Sequence, residues 1–145
     1  MTKALLSLTL VFVVAGTLPA DDAEKDLKKL VGTWQEVSHI SHISDGKERP
    51  AADVKSATVV IDASGKWEAL KDGTMYLKGS VKIDASKSPR AADWKIDDPD
   101  MTALGIYQVD GDTWKHCFAM DKRPTEFGSK DGSGVTYIVL KRVKK

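Results

Sequence analysis

Three histidines, one cysteine and a tight group of aspartates are the side chains in this 145-residue chain best suited to metal, thiol or acid–base chemistry. His39 and His42 are three apart, and on a strand that spacing sends them to opposite faces. They cannot hold one metal ion without a bulge or turn between them, and a Cys or carboxylate would have to join from elsewhere. The pair is therefore read as polar positions at a strand end and in the loop before Asp45-Gly46. Cys117 lies on an alternating stretch: Trp114, His116, Phe118 and Met120 share one face, Thr113, Lys115, Cys117 and Ala119 the other. A small thiol in such a strand is expected to be a packed hydrophobe rather than a redox group.

Asp97-Asp98-Pro99-Asp100, with Asp93 close by, offers oxygen ligands of the kind hard cations use. The spacing is not that of a calcium loop, so a solvated loop is expected. Arg123-Pro124-Thr125-Glu126-Phe127 reads as a loop pinned by Pro124 and Phe127, or else as one whose Arg123 and Glu126 line a binding mouth. The sequence has no nucleophile elbow, phosphate-cradling glycine loop or metal-ligand motif. No catalytic residue, metal or cofactor is expected.

The elements that position these residues are mostly strands. Residues 1–20 have a cationic start, an apolar run and a small-residue end before Asp21-Asp22, which is the layout of a signal peptide cut after Ala20 or after Gly16. The expected organisation is a leader at 1–20 and one domain at 21–145, exported to the periplasm or beyond with no membrane anchor after cleavage. Asp21–Leu30 reads as a short helix, with Leu27 and Leu30 on one face. From Thr33 onward the period is two. Thr74–Asp84 places Met75, Leu77, Val81 and Ile83 on one face and Tyr76, Lys78, Ser80, Lys82 and Asp84 on the other. Strands are also expected at Thr33–Ile43, Ala57–Asp62, Lys66–Lys71, Ala91–Ile96, Thr102–Val109, Thr113–Met120 and Val135–Val143, with hairpin turns at Asp72-Gly73 and Asp110-Gly111. About eight antiparallel strands in hairpin order favour an all-β barrel, because closure removes exposed edges.

Charge excludes one class of partner. The chain has 22 basic and 21 acidic side chains, and loss of the leader removes Lys3, leaving the two signs equal. That balance argues against a nucleic-acid binder that works by neutralising phosphates. A single cysteine also rules out an internal disulfide framework.

The short helix followed by Gly32-Thr33-Trp34 resembles the opening of lipocalins and related calycin barrels. Gly105-Ile106-Tyr107, Gly111-Asp112-Thr113, Cys117, Arg123-Pro124-Thr125-Glu126-Phe127 and Leu140-Lys141-Arg142-Val143 stand in an order similar to an uncharacterised lipocalin-like small-domain family, found mainly in planctomycete bacteria. The resemblance implies a barrel closed by Gly32, Trp34 and Arg142, with the guanidinium stacked on the indole, an interaction worth about 0.5–2 kcal/mol. The chain departs from the pattern at Trp114, where an aliphatic residue is expected, and in the His-rich stretch from Ser38 to Ser44. The family carries no established activity.

The function read from this sequence is an exported, monomeric lipocalin-like barrel that binds a small, partly apolar ligand. Candidate ligand-binding residues are Trp114, Phe118, Tyr107, Arg123 and Glu126. The alternative is a barrel filled with side chains that serves as an interaction or structural module, with an envelope protein as partner.

Overall fold

The structure, a computed structural model, describes residues 19–41 and 54–145. His42, the Asp45-Gly46 turn and most of the leader lie outside the described residues. Helix α1 (Pro19–Leu30) is followed by eight strands: β1 (Gly32–Ser41), β2 (Ala57–Ile61), β3 (Lys66–Lys71), β4 (Thr74–Asp84), β5 (Ala91–Ile96), β6 (Met101–Asp110), β7 (Thr113–Ala119) and β8 (Thr136–Arg142). Each strand pairs antiparallel with the next, and β8 pairs back to β1, so the sheet closes into a barrel. This is the all-β, eight-stranded architecture with a short helix that alternation and turn residues predict.

Local chemistry explains the turns. Asp72 and Gly73 both have positive φ (51° and 77°), the backbone of a two-residue type I′ hairpin that Asp-Gly favours. In α1, Leu27 and Leu30 pack onto the barrel core, and Glu24 bridges Lys28 one turn on at 3.0 Å. The helix sits at the end of the barrel where β1, β3, β5 and β7 begin.

Two irregularities break the strict alternation. The β1–β8 register slips between Glu36 and Ser38, which pushes Val37 out to solvent and lets both Glu36 and His39 face inward. The β3–β4 register slips at Tyr76, so Ala69 pairs with Leu77 and Leu70 with Met75. Tyr76, expected on the polar outer face, therefore stands with Leu77 on the wall of an interior cavity.

The inward positions are filled unevenly. Trp34, Trp67, Trp94 and Trp114 are all buried, and their rings form one continuous path. Ala69, Ala92, Ala103, Gly79 and Gly105 share the interior with them. Gly79 has to lack a side chain, because a Cβ there would lie 1.8 Å from the Lys95 carbonyl oxygen and 3.1 Å from the Trp67 ring.

Candidate functional site

The two ends of the barrel differ. At the α1 end, Arg142 lies opposite Trp34 across the β1–β8 seam, its guanidinium carbon 4.2 Å from the indole centroid. The same guanidinium donates to the Val31 carbonyl at 2.8 Å and to the Lys29 carbonyl, and the Trp34 N–H donates to the Leu30 carbonyl at 2.8 Å. Carbonyls left over at the helix C-terminus are thus satisfied by side chains of the first and last strands. Gly32 makes this possible: its φ is +130°, and a Cβ there would come within 2.9 Å of Arg142 Nη1. Near this end Asp26, almost fully buried, accepts hydrogen bonds from the Tyr107 hydroxyl at 2.6 Å and from Arg90. Burial alone would raise the Asp26 pKa. The Tyr107 and Arg90 hydrogen bonds and the charges of Arg90 and Lys29 outweigh it and hold the carboxyl below its usual range. Burial and the Asp26 charge push the Tyr107 phenol far above its ordinary value.

The opposite end holds a cavity of about 280 Å³. Successive layers of inward side chains build its floor and walls. Glu36 and Trp114 flank Leu140, His39 and His116 flank Ile138, and Ser41 and Phe118 flank Thr136, each trio running across β1, β8 and β7. Trp67, Trp94, Ile96, Ala69 and Ala103 complete the wall from β3, β5 and β6, and the half-exposed Tyr76 and Met120 stand at the mouth. Small lining residues, Ala69 on β3 and Ala103 on β6, leave room beside the large side chains of β7. Gly105 shows the fit closely, since a Cβ there would lie 3.3 Å from His116 Cε1.

Aromatic contact dominates this wall. Trp94 meets Trp114 at 5.5 Å and His116 at 4.8 Å, and His116 stacks on Phe118 at 4.8 Å. Such pairs add about 0.5–1.5 kcal/mol each beyond area burial.

The polar atoms of the cavity are few and unusual. Among the described residues, the buried side-chain nitrogens and oxygens without a protein partner are Nε1 of Trp67, Trp94 and Trp114 and Nδ1 of His116. All four residues line this one cavity. Burial, with the adjacent His39, drives the His116 pKa down to about 3, so its imidazole is neutral at physiological pH. The lining also carries Thr136, whose hydroxyl meets that of Ser41 at 2.9 Å, the Tyr76 hydroxyl, and the Glu36–His39 pair, Oε2 to Nδ1 at 3.1 Å, with both side chains of the pair buried.

The sequence candidates therefore divide. Trp114 and Phe118 line the cavity. Tyr107 is buried but spends its hydroxyl on Asp26. Arg123 and Glu126 lie on the loop after β7, which folds back along the outer wall: Arg123 donates to the Gly105 carbonyl at 2.7 Å and to Asp93 at 2.6 Å. That loop also covers Cys117, fully buried, whose thiol lies 3.3 Å from the Gly128 carbonyl oxygen. Asp100 is a surface residue paired with Lys95 at 2.6 Å, and no group of three metal-ligating side chains occurs among the described residues.

Glu36 and His39 are the site residues that the sequence reading missed. Glu36 has the same strand parity as Trp34, which marked it as inward. Only the bulge at Val37 brings His39 to the same face, and period-two reasoning has no way to place a bulge. Comparisons with protein-family models, with curated proteins and with solved structures return no match for this chain.

Proposed function

We propose that this protein binds a small, partly apolar molecule inside the barrel, admitted at the end opposite α1. The observation that carries the reading is an aromatic-walled cavity four of whose lining residues, Trp67, Trp94, Trp114 and His116, carry a buried nitrogen with no partner among the described residues. A buried polar group without a partner costs about 1–3 kcal/mol, and three indole donors and an imidazole nitrogen together are a concentrated cost. A ligand bearing hydrogen-bond acceptors would recover part of it at the indoles, provided the rings turn their nitrogens toward the void. The volume is near the lower bound of small-molecule sites, roughly 300–1,000 Å³, which suits a compact ring system better than a long acyl chain. The void also favours this reading over a barrel filled with side chains. Export belongs to the same proposal and rests on the leader pattern of residues 1–20.

Tryptophan emission tests it directly, since three of the four indoles line the cavity. The purified protein is titrated with fatty acids, retinoids and compact aromatic dyes, beside an Ala103→Leu variant that fills the void. Saturable quenching by at least one compound, lost in the folded variant, is the expected result. A flat response to every compound, or an equal response from the filled barrel, would overturn the reading.

A further inference from the structure

The bulge in β1 has a chemical result as well as a structural one. Strict alternation from Glu36 would send His39 outward, and the register slip before Ser38 turns it inward, opposite Ile138. Bulges recur where a strand re-aims a side chain into a site. Glu36 Oε2 then lies 3.1 Å from His39 Nδ1, with both side chains buried and both on the cavity lining. A carboxylate accepts from the ring N–H it faces, which fixes the imidazole and leaves the lone pair on Nε2, at the far edge of the ring. Glu36 has a further interaction as well, and its contact with Nδ1 holds alongside it. Among the described residues the hydrogen bond of the His39 ring is to Glu36, and Nε2 is not one of the closed-off nitrogens. The other titratable group facing His39 there is His116, across β8 on β7.

The rest of the lining limits the chemistry. Among its described residues there is no lysine or arginine, and the N–H groups of Trp67, Trp94 and Trp114 are closed off from the void. The site therefore offers a base between aromatic walls and little to stabilise a new anion. A substrate suited to it spreads the developing charge over its own ring.

We propose that His39, positioned by Glu36, is a general base in this cavity, removing a proton from carbon in a compact aromatic substrate that delocalises the resulting charge. His39 is the catalytic residue and Glu36 a positioning residue. The inference rests on the proposed binding function and names the substrate class of the same cavity.

A planar probe of that class, 5-nitrobenzisoxazole, reports the step by colour. Nε2 takes the C–H proton, the C–H electron pair becomes a π bond of a nitrile, and the N–O bond breaks with its pair on oxygen. The product is a ring-delocalised nitrophenolate, and the imidazolium returns its proton to water. The expected result is saturable release of the phenolate, falling about a hundredfold in His39→Gln. The rate should rise with pH as the imidazole loses its proton. Glu36→Gln should lower the rate and move that midpoint to lower pH, because no carboxylate then favours the imidazolium. A purely structural role for Glu36 would leave the midpoint in place. Near-ultraviolet circular dichroism of the tryptophans verifies folding, and if one variant does not fold the other decides.

Binding is measured separately by calorimetry with the 3-methyl analogue of the probe, which has no such proton to lose. If the analogue binds but the probe turns over no faster than in buffer, or if folded His39→Gln keeps the full rate, the base is overturned and a binding cavity remains. An analogue that does not bind, where another compound of the fluorescence titration does, overturns the substrate class. Absence of binding by every compound overturns the binding function with it.

Discussion

Arg142 and Trp34 face each other across the strand pair that joins the last strand to the first, 4.2 Å from guanidinium carbon to ring centroid. One guanidinium there contacts an indole, two helix-end carbonyls and, at 3.4 Å, Asp112. Arg142→Gln removes the cation and breaks the fork. The expected loss is about 2–3 kcal/mol from the cation–π contact and the charge-assisted hydrogen bonds, with little from the partly solvated Asp112 contact. Urea unfolding followed by tryptophan emission measures it; a midpoint equal to wild type would show that closure does not depend on this residue.

Asp26 ties α1 to the barrel through Tyr107 and Arg90. Its pKa is held below the unfolded value of 3.8 by those partners against the opposing effect of burial. The stability it contributes is fully present above that value and is lost as pH falls through the lower folded pKa. Thermal midpoints of wild type should therefore drop steeply below about pH 4. Asp26→Asn should start lower at pH 7 by about 2 kcal/mol, because half-exposed Arg90 can find water, and should show less of the acid-dependent loss. Parallel curves for the two proteins would dismiss the linkage.

His116 acts in a different window. It is a base whose folded pKa, about 3, lies far below its unfolded value of 6.5, chiefly through burial and secondarily through His39. Its contribution is complete above pH 6.5 and declines progressively towards pH 3, where the folded protein must finally accept the proton that the unfolded chain takes first. His116→Phe keeps the ring contacts with Trp94 and Phe118 and removes the titration. The variant should hold its thermal midpoint between pH 6.5 and 4 better than wild type. Two-dimensional NMR of the His116 ring should show no titration above pH 4; a midpoint near 6.5 would refute the burial argument.

Cys117 should resist alkylation in the folded protein. The thiol is fully buried beneath the loop after β7, and burial together with the Glu126 charge raises its pKa. Labelling by a disulfide dye at neutral pH should run on the order of a hundredfold faster in urea than in buffer. Comparable rates would mean that the loop does not cover it.

Particular residues show how far sequence reasoning reached. The strands were legible because apolar and polar residues alternate along them and Asp-Gly marks the tight turns, and alternation is a purely local property. The Trp34–Arg142 seam was legible through resemblance, because Gly32 and Trp34 stand at one end of the chain and Arg142 at the other. The cavity was only half legible. Trp114 and Phe118 share the parity of β7, whereas the inward turn of His39 and the place of Tyr76 depend on bulges at Val37 and Tyr76. A bulge is fixed by the partner strand across the ladder, and no local pattern records that partner. Tyr107 has the residue type of a ligand contact, but its hydroxyl is committed to a helix that is distant in the sequence. Arg123 and Glu126 were placed by a loop whose path over the outer wall depends on carbonyls of β5 and β6.

The run of indoles from Trp34 through Trp114 and Trp94 to Trp67, with centroids 5.7, 5.5 and 6.0 Å apart, has an optical consequence. Rings at such separations exchange electronic excitation faster than they emit, so the four chromophores behave as one pooled emitter. Emission should be strongly depolarised even in a slowly tumbling molecule. A quencher touching Trp67 at the cavity would darken Trp34 at the far, sealed end.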